Sequence, residues 1–556
     1  MSTVEPSLGT ESWDVLNDPS DPGLHWTTGN IGEAVPGIQT PLSWTLWGPT
    51  IEAGMRLSMR DMGAFSRAES ELPPKGRQLC QVFFGRGALS VELLANLGNR
   101  MPGTTGQQVA IGVYGDAPDT IDYQGTVKRY PFVAAGVPVQ MLTIARRLHA
   151  ARAVSEELWP RATASMGTLG LPETLAMFTE AADQFRRCVY LQSMALFCAV
   201  QPMYDALTAL TARTGIGDAP TLAGGYGGVP ETEVVADLWR TSRGEIELAQ
   251  VVAKHGFHGP SEGELSGRVW REDSRPLERL VGDYGDRPDD ADPRLRDAAR
   301  RDARQKLERE LMAAVPAVQR PLIKLLLRRA EVSIPLRGVS KTAFLQAFDV
   351  VRAAARRAGV LLADSGVLAD PEDVFYLSID ELLSTPDKGV QEYVTLRRER
   401  HALYKKVRLP EAWVGVPVPV IEEAPGAARI QSLTGVGVSP GVVEGLARVV
   451  SDPDFEDVEP DEILVAPTTD PSWSSIMFIS SALVVDIGGA LSHAAVVARE
   501  LGIPCVVNTK NGSRHLRTGD LIRVDGGTGI VEVLKPVSED SAVDPAGEPA
   551  GTEPAQ

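Results

Sequence analysis

Cysteine is scarce in this sequence, and long apolar runs are missing from it. The four cysteines are scattered and form no Cys-x-x-Cys pair, so neither a zinc site nor a disulfide framework is indicated. Their spacing favours buried free thiols in a protein of the reducing cytoplasm. No run of about 18 apolar residues occurs, so no transmembrane helix is predicted. The polar, acidic start of the chain does not resemble a signal peptide.

Positive charge is also in deficit. The 556 residues include 55 Lys and Arg against 73 Asp and Glu, which gives a formal net charge of −18. An acidic surface argues against nucleic acid and anionic membranes as partners. The hydrophobic fraction of 43% is typical of a soluble globular protein. The length predicts about two to four domains.

The most informative stretch present is residues 484–504. An apolar run ending at Val485 predicts a buried strand, and Gly488 and Gly489 allow a sharp turn after it. Ser492 is a favourable N-cap, which places His493 in the first turn of a helix. The Gly-Ile-Pro that follows is where this helix is expected to end.

This placement of His493 has chemical consequences. A helix N-terminus presents unpaired N–H groups and partial positive charge, so it attracts anions and disfavours a second cation. A neutral imidazole there is a nucleophile, and a phosphoryl group bound to it would lie among backbone donors. The pattern therefore suits a phosphohistidine. Taken alone, it more often describes a histidine in a first helical turn with no chemistry.

The wider motif points to a family. Gly-Gly-x-x-Ser-His-x-Ala-x-Val-Ala-Arg-Glu-Leu-Gly-Ile-Pro-x-Val-Val resembles the swivelling phosphohistidine domain of the phosphoenolpyruvate-utilising enzymes, which include pyruvate phosphate dikinase, phosphoenolpyruvate synthase and rifampicin phosphotransferase. Leu491 departs from the Thr that relatives often carry. The resemblance implies that His493 carries a phosphoryl group, with Gly488, Gly489 and Ser492 supporting it.

Two upstream segments resemble the substrate-binding domain of rifampicin phosphotransferase-like proteins. The first is an Asn-x-Gly-Glu-x-x-Pro-Gly segment containing Glu33, followed by Pro-Leu-x-Trp. The second is a loop containing His255, His258 and Glu262, in which Phe257-His258 replaces the family's His-Arg. These four charged or titratable residues are substrate-side candidates. The loop is either a metal or acid–base cluster or a capped connection between two helices.

An arginine-rich helix follows this loop. The resemblance makes Arg329 and then Arg337 the candidates for stabilising the phosphoryl group, although Ala330 interrupts the family's adjacent Arg-Glu pair. An exposed salt-bridge cluster is the alternative. Several aromatic residues near the start of the chain fit either an aromatic acceptor pocket or core packing; they are Trp26, Trp44, Trp47, Phe83 and Phe84.

The predicted fold is multidomain. A flexible N-terminus (1–20) precedes a large, mainly α substrate-binding domain (21–408). A proline-rich linker (409–432) leads to a small α/β swivelling phosphohistidine domain of the β/β/α type (433–537), and a tail (538–556) is predicted to be disordered.

No segment resembles the family's ATP-grasp module or its phosphoenolpyruvate-binding barrel. The chain is therefore expected to be the carrier subunit of a split enzyme, similar to phenylphosphate synthase and the 4-cresol-phosphorylating systems. A separate ATP-grasp partner, similar to the N-terminal part of pyruvate phosphate dikinase, would bind ATP and Mg²⁺. It would phosphorylate His493, which would pass the phosphoryl group to a hydroxyl of a small aromatic substrate. The alternatives are a component of a rifamycin-type antibiotic phosphotransferase and a non-catalytic phosphohistidine relay.

Overall fold

A computed structural model describes most of the chain. The described residues are 13–29, 31–35, 37–101, 105–114, 117–124, 128–227, 230–259, 262–410, 412–421, 430–450, 458–469, 473–489 and 492–537. Those up to residue 421 form a helical domain, and those from residue 430 form a C-terminal domain. The tail predicted over 538–556 lies outside the described residues.

Helices dominate the helical domain, as predicted. They are α1 (Ile31–Ala34), α2 (Pro41–Asp61), α3 (Val91–Arg100), α4 (Gly106–Tyr114), α5 (Tyr130–Ser165), α6 (Leu171–Ala195), α7 (Gln201–Thr214), α8 (Ala219–Ala223), α9 (Pro230–Ser242), α10 (Leu248–His255), α11 (Arg275–Gly285), α12 (Pro293–Ala314), α13 (Arg320–Ser333), α14 (Leu336–Asp364), α15 (Ile379–Leu383) and α16 (Val390–Tyr404).

The centre of this domain is a bundle of α2, α5, α6 and α14. Much of α14 is buried, and its many alanines let neighbouring helices approach closely. Trp47 of α2 packs edge-on against Phe185 of α6, with ring centroids 4.7 Å apart, and lies 5.3 Å from Phe348 of α14. The early aromatic residues are all in the core and at most 5% exposed; they are Trp26, Trp44, Trp47, Phe83 and Phe84. Core packing therefore accounts for them.

A small sheet completes the helical domain. Its strands run in the order β2-β3-β1-β5, with bounds β1 (His25–Thr27), β2 (Cys80–Phe83), β3 (Arg86–Ser90) and β5 (Ala412–Val414). β4 (Val407–Arg408) pairs separately with β6 (Val420–Ile421). β5 and β6 both fall inside the segment predicted as a linker. β5 joins the small sheet because Trp413 lies opposite Trp26 in the β1–β5 ladder. Part of that segment is thus attached to the helical domain.

The prediction of a flexible N-terminus is wrong for residues 13–20. Leu16 is 2% exposed and packs in the main core. The carboxylate of Asp18 accepts hydrogen bonds from Lys75 at 2.6 Å and from the Val82 amide at 3.3 Å. These polar residues are ordered because their partners come from distant parts of the chain, which local composition does not reveal. Residues 1–12 lie outside the described part.

The C-terminal domain is built on one eight-stranded sheet, in the order β7-β14-β13-β9-β10-β11-β12-β8. The strands from β9 to β12 run parallel, and the flanking ones are antiparallel. Its elements are β7 (Ser432–Thr434), β8 (Val436–Ser439), β9 (Val442–Val449), β10 (Ile463–Ala466), α17 (Ser474–Ile479), β11 (Ala482–Val485), α18 (His493–Leu501), β12 (Cys505–Val507), α19 (Gly512–His515), β13 (Leu521–Asp525) and β14 (Ile530–Lys535).

The predicted fold class is confirmed: a large helical domain is followed by a small α/β domain. The parallel strand β11 is fully buried, which explains the short apolar run that ends at Val485. The four cysteines are buried free thiols, as predicted. Among the helices of the described residues, none has the length and apolar character needed to span a membrane.

Candidate active site

The first turn of α18 has the geometry that the sequence predicts. Ser492 is extended, with φ −62° and ψ 162°, and its hydroxyl accepts a hydrogen bond from the Ala495 amide at 3.3 Å. The helix therefore starts at His493 with one of its otherwise unpaired amides satisfied. Gly502 ends the helix in the left-handed conformation, with φ 67°.

The two glycines before this helix differ in what they contribute. Gly488 has φ +147°, and a Cβ atom built on it would lie 2.9 Å from the Ser492 hydroxyl. A side chain at this position would therefore disturb the N-cap. Gly489 has no described atom within 4 Å of such a Cβ, and its carbonyl accepts a hydrogen bond from the Ser492 amide at 3.0 Å.

His493 is buried against the end of a neighbouring strand. His493 is only 6% exposed. Its Nδ1 atom lies 3.3 Å from the hydroxyl of Thr469, which follows β10. Thr469 is followed in the sequence by Asp470, which lies outside the described residues. The contact orients the imidazole and engages its Nδ1 atom.

The turn between β11 and α18 has a support that the sequence analysis missed. Asp486 is 2% exposed and accepts hydrogen bonds from the Thr509 hydroxyl at 2.9 Å, from the Ser513 amide at 3.1 Å and from the Ser513 hydroxyl. It thereby joins the end of β11 to the start of α19. An aspartate directly after a buried strand is the signal that identifies such a position.

In the helical domain, His258 and Glu262 form a buried pair. His258 Nδ1 lies 2.7 Å from Glu262 Oε2, and the two residues are 2% and 4% exposed. Lys341 of α14 places its Nζ atom 3.7 Å from the other carboxylate oxygen. The rings of Phe257 and Trp270 flank the His258 imidazole at centroid distances of 4.3 Å and 5.8 Å.

His255 does not join this pair. Its Nε2 atom lies 2.9 Å from Asp237 Oδ2, and Lys254 donates to the same oxygen at 2.8 Å. Burial lowers the pKa of His255, although its bond to Asp237 acts in the opposite direction. The hydrogen bonds from His255 and Lys254 hold the pKa of Asp237 well below its usual value, despite partial burial. This second pair fastens α10 to α9.

The structure brings the two upstream family-like segments together. Glu264 accepts hydrogen bonds from the Thr40 hydroxyl at 2.7 Å and from the Ser43 hydroxyl at 2.6 Å. Trp47 donates from its indole nitrogen to the Gly263 carbonyl at 2.8 Å. The start of α2 is therefore pinned to the loop that carries Glu262. Glu33 lies in α1, but its side chain is outside the described part.

The two candidate arginines lie on different helices. Arg329 is an exposed residue of α13, which packs with α7 and α12 in a separate apolar cluster. Arg337 is half-buried and lies one turn before Lys341 on α14. Residues four apart share one helix face, so Arg337 is on the face of α14 that reaches Glu262 through Lys341. Of the two arginines, Arg337 is thus the one near the His258–Glu262 pair.

The C-terminal domain packs on α9, α11 and α12 of the helical domain. Phe478 of α17 is 1% exposed and lies between Tyr284 and Trp239, with ring centroids 4.8 Å and 6.3 Å away. Arg287 donates to the Ile479 carbonyl at 2.7 Å and pairs with Asp461 at 3.3 Å. Trp270 belongs to the same continuous apolar cluster as Phe478, so the His258–Glu262 pair borders this interface.

Two regions of the chain match known families. Residues 458–529, which contain His493, match the mobile domain of PEP-utilising enzymes. Residues 244–338 match the fourth domain of rifampicin phosphotransferase. The second match contains the His258–Glu262 pair, Arg329 and Arg337.

Curated relatives agree with these matches. A protein of Mycobacterium tuberculosis whose function is uncharacterised is 33% identical over 291 residues, or 51% of this chain and 31% of its own length. The rifampicin phosphotransferase of Bacillus subtilis is 32% identical over 205 residues, or 36% of this chain and 23% of its own. That of Streptomyces sviceus is 35% identical over 213 residues, or 37% and 24%. The chain spans less than a third of the length of these relatives.

Solved structures are less informative. Enzyme I matches 66% of the chain at 14% identity with a TM-score of 0.17, which supports no structural equivalence. The predicted resemblance is confirmed by the two matched regions and by the curated relatives together. One region of the chain is similar to the mobile domain of PEP-utilising enzymes, and another is similar to part of the rifampicin phosphotransferases.

Proposed function

We propose that this protein is a phosphotransferase that carries a phosphoryl group on His493. One observation supports this most directly. A buried histidine begins a helix, its Nδ1 atom is engaged by Thr469, and it lies within the region that matches the PEP-utilising mobile domain. The proposal assigns the phosphoryl group to Nε2, because Nδ1 already has a hydroxyl partner at 3.3 Å.

The first turn of α18 is suited to hold this group. The N-terminal amides and the helix dipole favour the negative charge of a phosphoryl group. The phosphoramidate bond retains the potential to transfer its phosphoryl group, which a carrier requires. We propose that an ATP-grasp partner supplies the phosphoryl group from ATP with Mg²⁺, and that this chain's own residues bind and orient the acceptor.

Transfer requires the carrier to reach the acceptor. The C-terminal domain packs against the helical domain through Phe478 and Arg287, next to the loop that bears His258. In the proposal, this interface opens and closes as the domain moves between donor and acceptor. Positioning and positive charge should supply most of the rate enhancement, as in other phosphoryl transfers.

The acceptor we propose is a hydroxyl of a small aromatic molecule of the phenol type. A rifamycin is the second candidate, because curated relatives carry the name rifampicin phosphotransferase. The aromatic residues near the start of the chain do not favour either, because they are core residues. A phosphohistidine relay that acts on another protein would show carrier labelling but no transfer to small molecules.

Labelling tests the carrier. The purified chain is mixed with β- or γ-labelled ATP, with and without a candidate ATP-grasp protein, and acid-labile label is measured. We expect label only with the partner, at a site lost in His493→Ala and retained in His515→Ala, a control histidine on α19 of the same domain. Label without the partner would contradict the split-enzyme proposal, and unchanged label in His493→Ala would contradict the carrier. A panel of phenols and rifampicin then identifies the acceptor class.

A further inference from the structure

We infer that His258 is the base that takes the proton from the acceptor hydroxyl, and that Glu262 positions it. This inference rests on the proposed function and names the residue that completes its second half-reaction. In the part of the chain that the structure describes, the Nε2 atom of His258 is buried and has no hydrogen-bond partner. Such atoms are rare in folded proteins and call for an explanation.

The hydrogen bond to Glu262 fixes the tautomer of His258. A carboxylate only accepts hydrogen bonds, so at 2.7 Å the proton between the two groups belongs to Nδ1 of the imidazole. Nε2 then carries a lone pair. A proton on Nε2 would instead be buried with no acceptor among the described residues. Both considerations leave Nε2 as a proton acceptor.

The other buried histidine of this region shows the contrast. His255 uses its Nε2 atom to contact Asp237 at 2.9 Å, so its polar contact is a structural one between two helices. His258 presents the opposite nitrogen to its carboxylate, which is the arrangement in which a histidine and a carboxylate act together as a base. The flanking rings of Phe257 and Trp270 limit the directions from which a substrate can approach.

The neighbours of the pair suit a phosphoryl acceptor site. Lys341 lies 3.7 Å from Glu262, and Arg337 shares its helix face, so two cationic side chains lie on the helix beside the pair. Trp270 belongs to the apolar cluster that contains Phe478, so the pair borders the surface on which the C-terminal domain docks. Movement of that domain would give the acceptor and the carrier access to this side.

The chemical step balances without a further reactant. The acceptor oxygen forms a P–O bond as the P–N bond to His493 breaks, and the electron pair of that bond returns to the imidazole of His493. The proton of the acceptor hydroxyl moves to Nε2 of His258. The resulting imidazolium is balanced by the carboxylate of Glu262 and later releases its proton to solvent.

The first test measures the tautomer and needs no phosphoryl donor. With ¹⁵N-labelled histidine in the full chain, we expect His258 to carry its proton on Nδ1 and none on Nε2. His258→Asn assigns the signal, because the asparagine amide retains a donor toward Glu262 but has no base at the Nε2 position. Glu262→Gln should shift the proton toward Nε2. A wild-type protein with the proton on Nε2 would overturn the inference.

The second test follows label from phospho-His493 to phenol, 4-nitrophenol and rifampicin, or to water if none of them accepts it. We expect His258→Asn to slow transfer about 10²- to 10³-fold while His493 is labelled normally. The loss should be smaller with 4-nitrophenol, whose acidic hydroxyl needs less help from a base. Glu262→Gln should slow transfer to a lesser degree.

His401 provides the matched control. It is a buried histidine of α16, 6% exposed, and its Nε2 atom also has no hydrogen-bond partner among the described residues. His401→Asn should leave transfer within about twofold of wild type. Equal losses in the two variants, or none in His258→Asn, would overturn the inference. Absence of label on His493 in the wild-type protein would instead overturn the proposed function and leave the tautomer measurement standing.

Discussion

Arg296 of α12 donates a hydrogen bond from its Nη1 atom to the carbonyl of Leu501, the last residue of α18, at 2.8 Å. The C-terminal end of a helix carries partial negative charge, so a cation is favourable there. Arg287 makes the equivalent contact with the carbonyl of Ile479 at the end of α17. Two helices of the C-terminal domain are therefore capped by arginines of the helical domain.

The first prediction concerns this docking. The double variant Arg287→Ala/Arg296→Ala should weaken the interface between the two domains. Each charged hydrogen bond contributes about 1.5–3 kcal/mol, and solvent screening reduces that contribution. We expect a larger radius of gyration in small-angle scattering and faster hydrogen exchange in α9 and α11. Arg523→Ala, which removes an exposed ion pair within the C-terminal domain, is the control. A double variant with the dimensions of wild type would contradict this docking scheme.

The second prediction separates the two glycines before α18. Gly488→Ala should destabilise the C-terminal domain by about 1–3 kcal/mol and reduce labelling of His493. An alanine is strained at φ +147°, and its Cβ atom would meet the Ser492 hydroxyl. Gly489→Ala should cost less than about 0.5 kcal/mol, because no described atom is near its Cβ. Unfolding midpoints and acid-labile label measure both effects. Equal losses in the two variants would refute the assigned role of Gly488.

The bounds of α18 could be predicted from the sequence because the signals that set them are local. The N-cap Ser492, the glycine turn before it and the left-handed Gly502 all act within a few residues, so the pattern alone specifies where the helix begins and ends. The buried histidine and the family motif likewise lie in one stretch. These are the features that a single sequence can encode without knowledge of the rest of the fold.

The remaining features depend on contacts between distant segments. The sequence grouped His255 with His258 because they are neighbours in the chain, but Asp237 pairs with His255 and Glu262 with His258. The strand in the proline-rich segment was likewise not predicted, because it forms through the pairing of Trp413 with the distant Trp26. Aromatic side chains near the start of the chain could not be assigned to core or pocket, because composition does not report burial.

The third prediction concerns a buried ion network that holds the His258 loop on α14. Asp349 is 0% exposed and accepts hydrogen bonds from Arg271 at 2.6 Å, from Arg352 at 2.8 Å and from Trp159 at 2.7 Å. Burial alone would raise the pKa of Asp349, but the two arginines outweigh it and hold that pKa below its usual value.

Removal of this carboxylate should be costly. Asp349→Ala leaves Arg352 buried without its counter-ion, and we expect a loss of about 3–5 kcal/mol. Glu444→Ala removes only an exposed partner of Arg523 and should cost less than about 1 kcal/mol. Urea midpoints followed by tryptophan fluorescence compare the two. If both substitutions shift the midpoint equally, the network does not stabilise the helical domain as argued.

The fourth prediction is a dependence of stability on pH. Burial lowers the pKa of His255, and the nearby His258 and Lys254 lower it further. The hydrogen bond to Asp237 raises this pKa but does not outweigh burial. Burial likewise lowers the pKa of His401, with Lys405 acting in the same direction and Glu264 in the opposite one. The unfolded chain therefore binds more protons than the folded protein once the pH falls toward about 6.5, the ordinary value for histidine.

Stability should consequently fall as the solution is acidified from about pH 7.5 to 5.5. The slope for each histidine is at most about 1.4 kcal/mol per pH unit, between its folded and unfolded pKa values. His401→Gln cannot take up a proton in either state, so it should flatten the profile even if it lowers stability at every pH. Urea midpoints at several pH values measure this. If the variant's profile has the same slope as that of wild type, His401 does not take up a proton on unfolding. If the wild-type urea midpoint rises on acidification, the predicted direction of the pH dependence is wrong for both histidines.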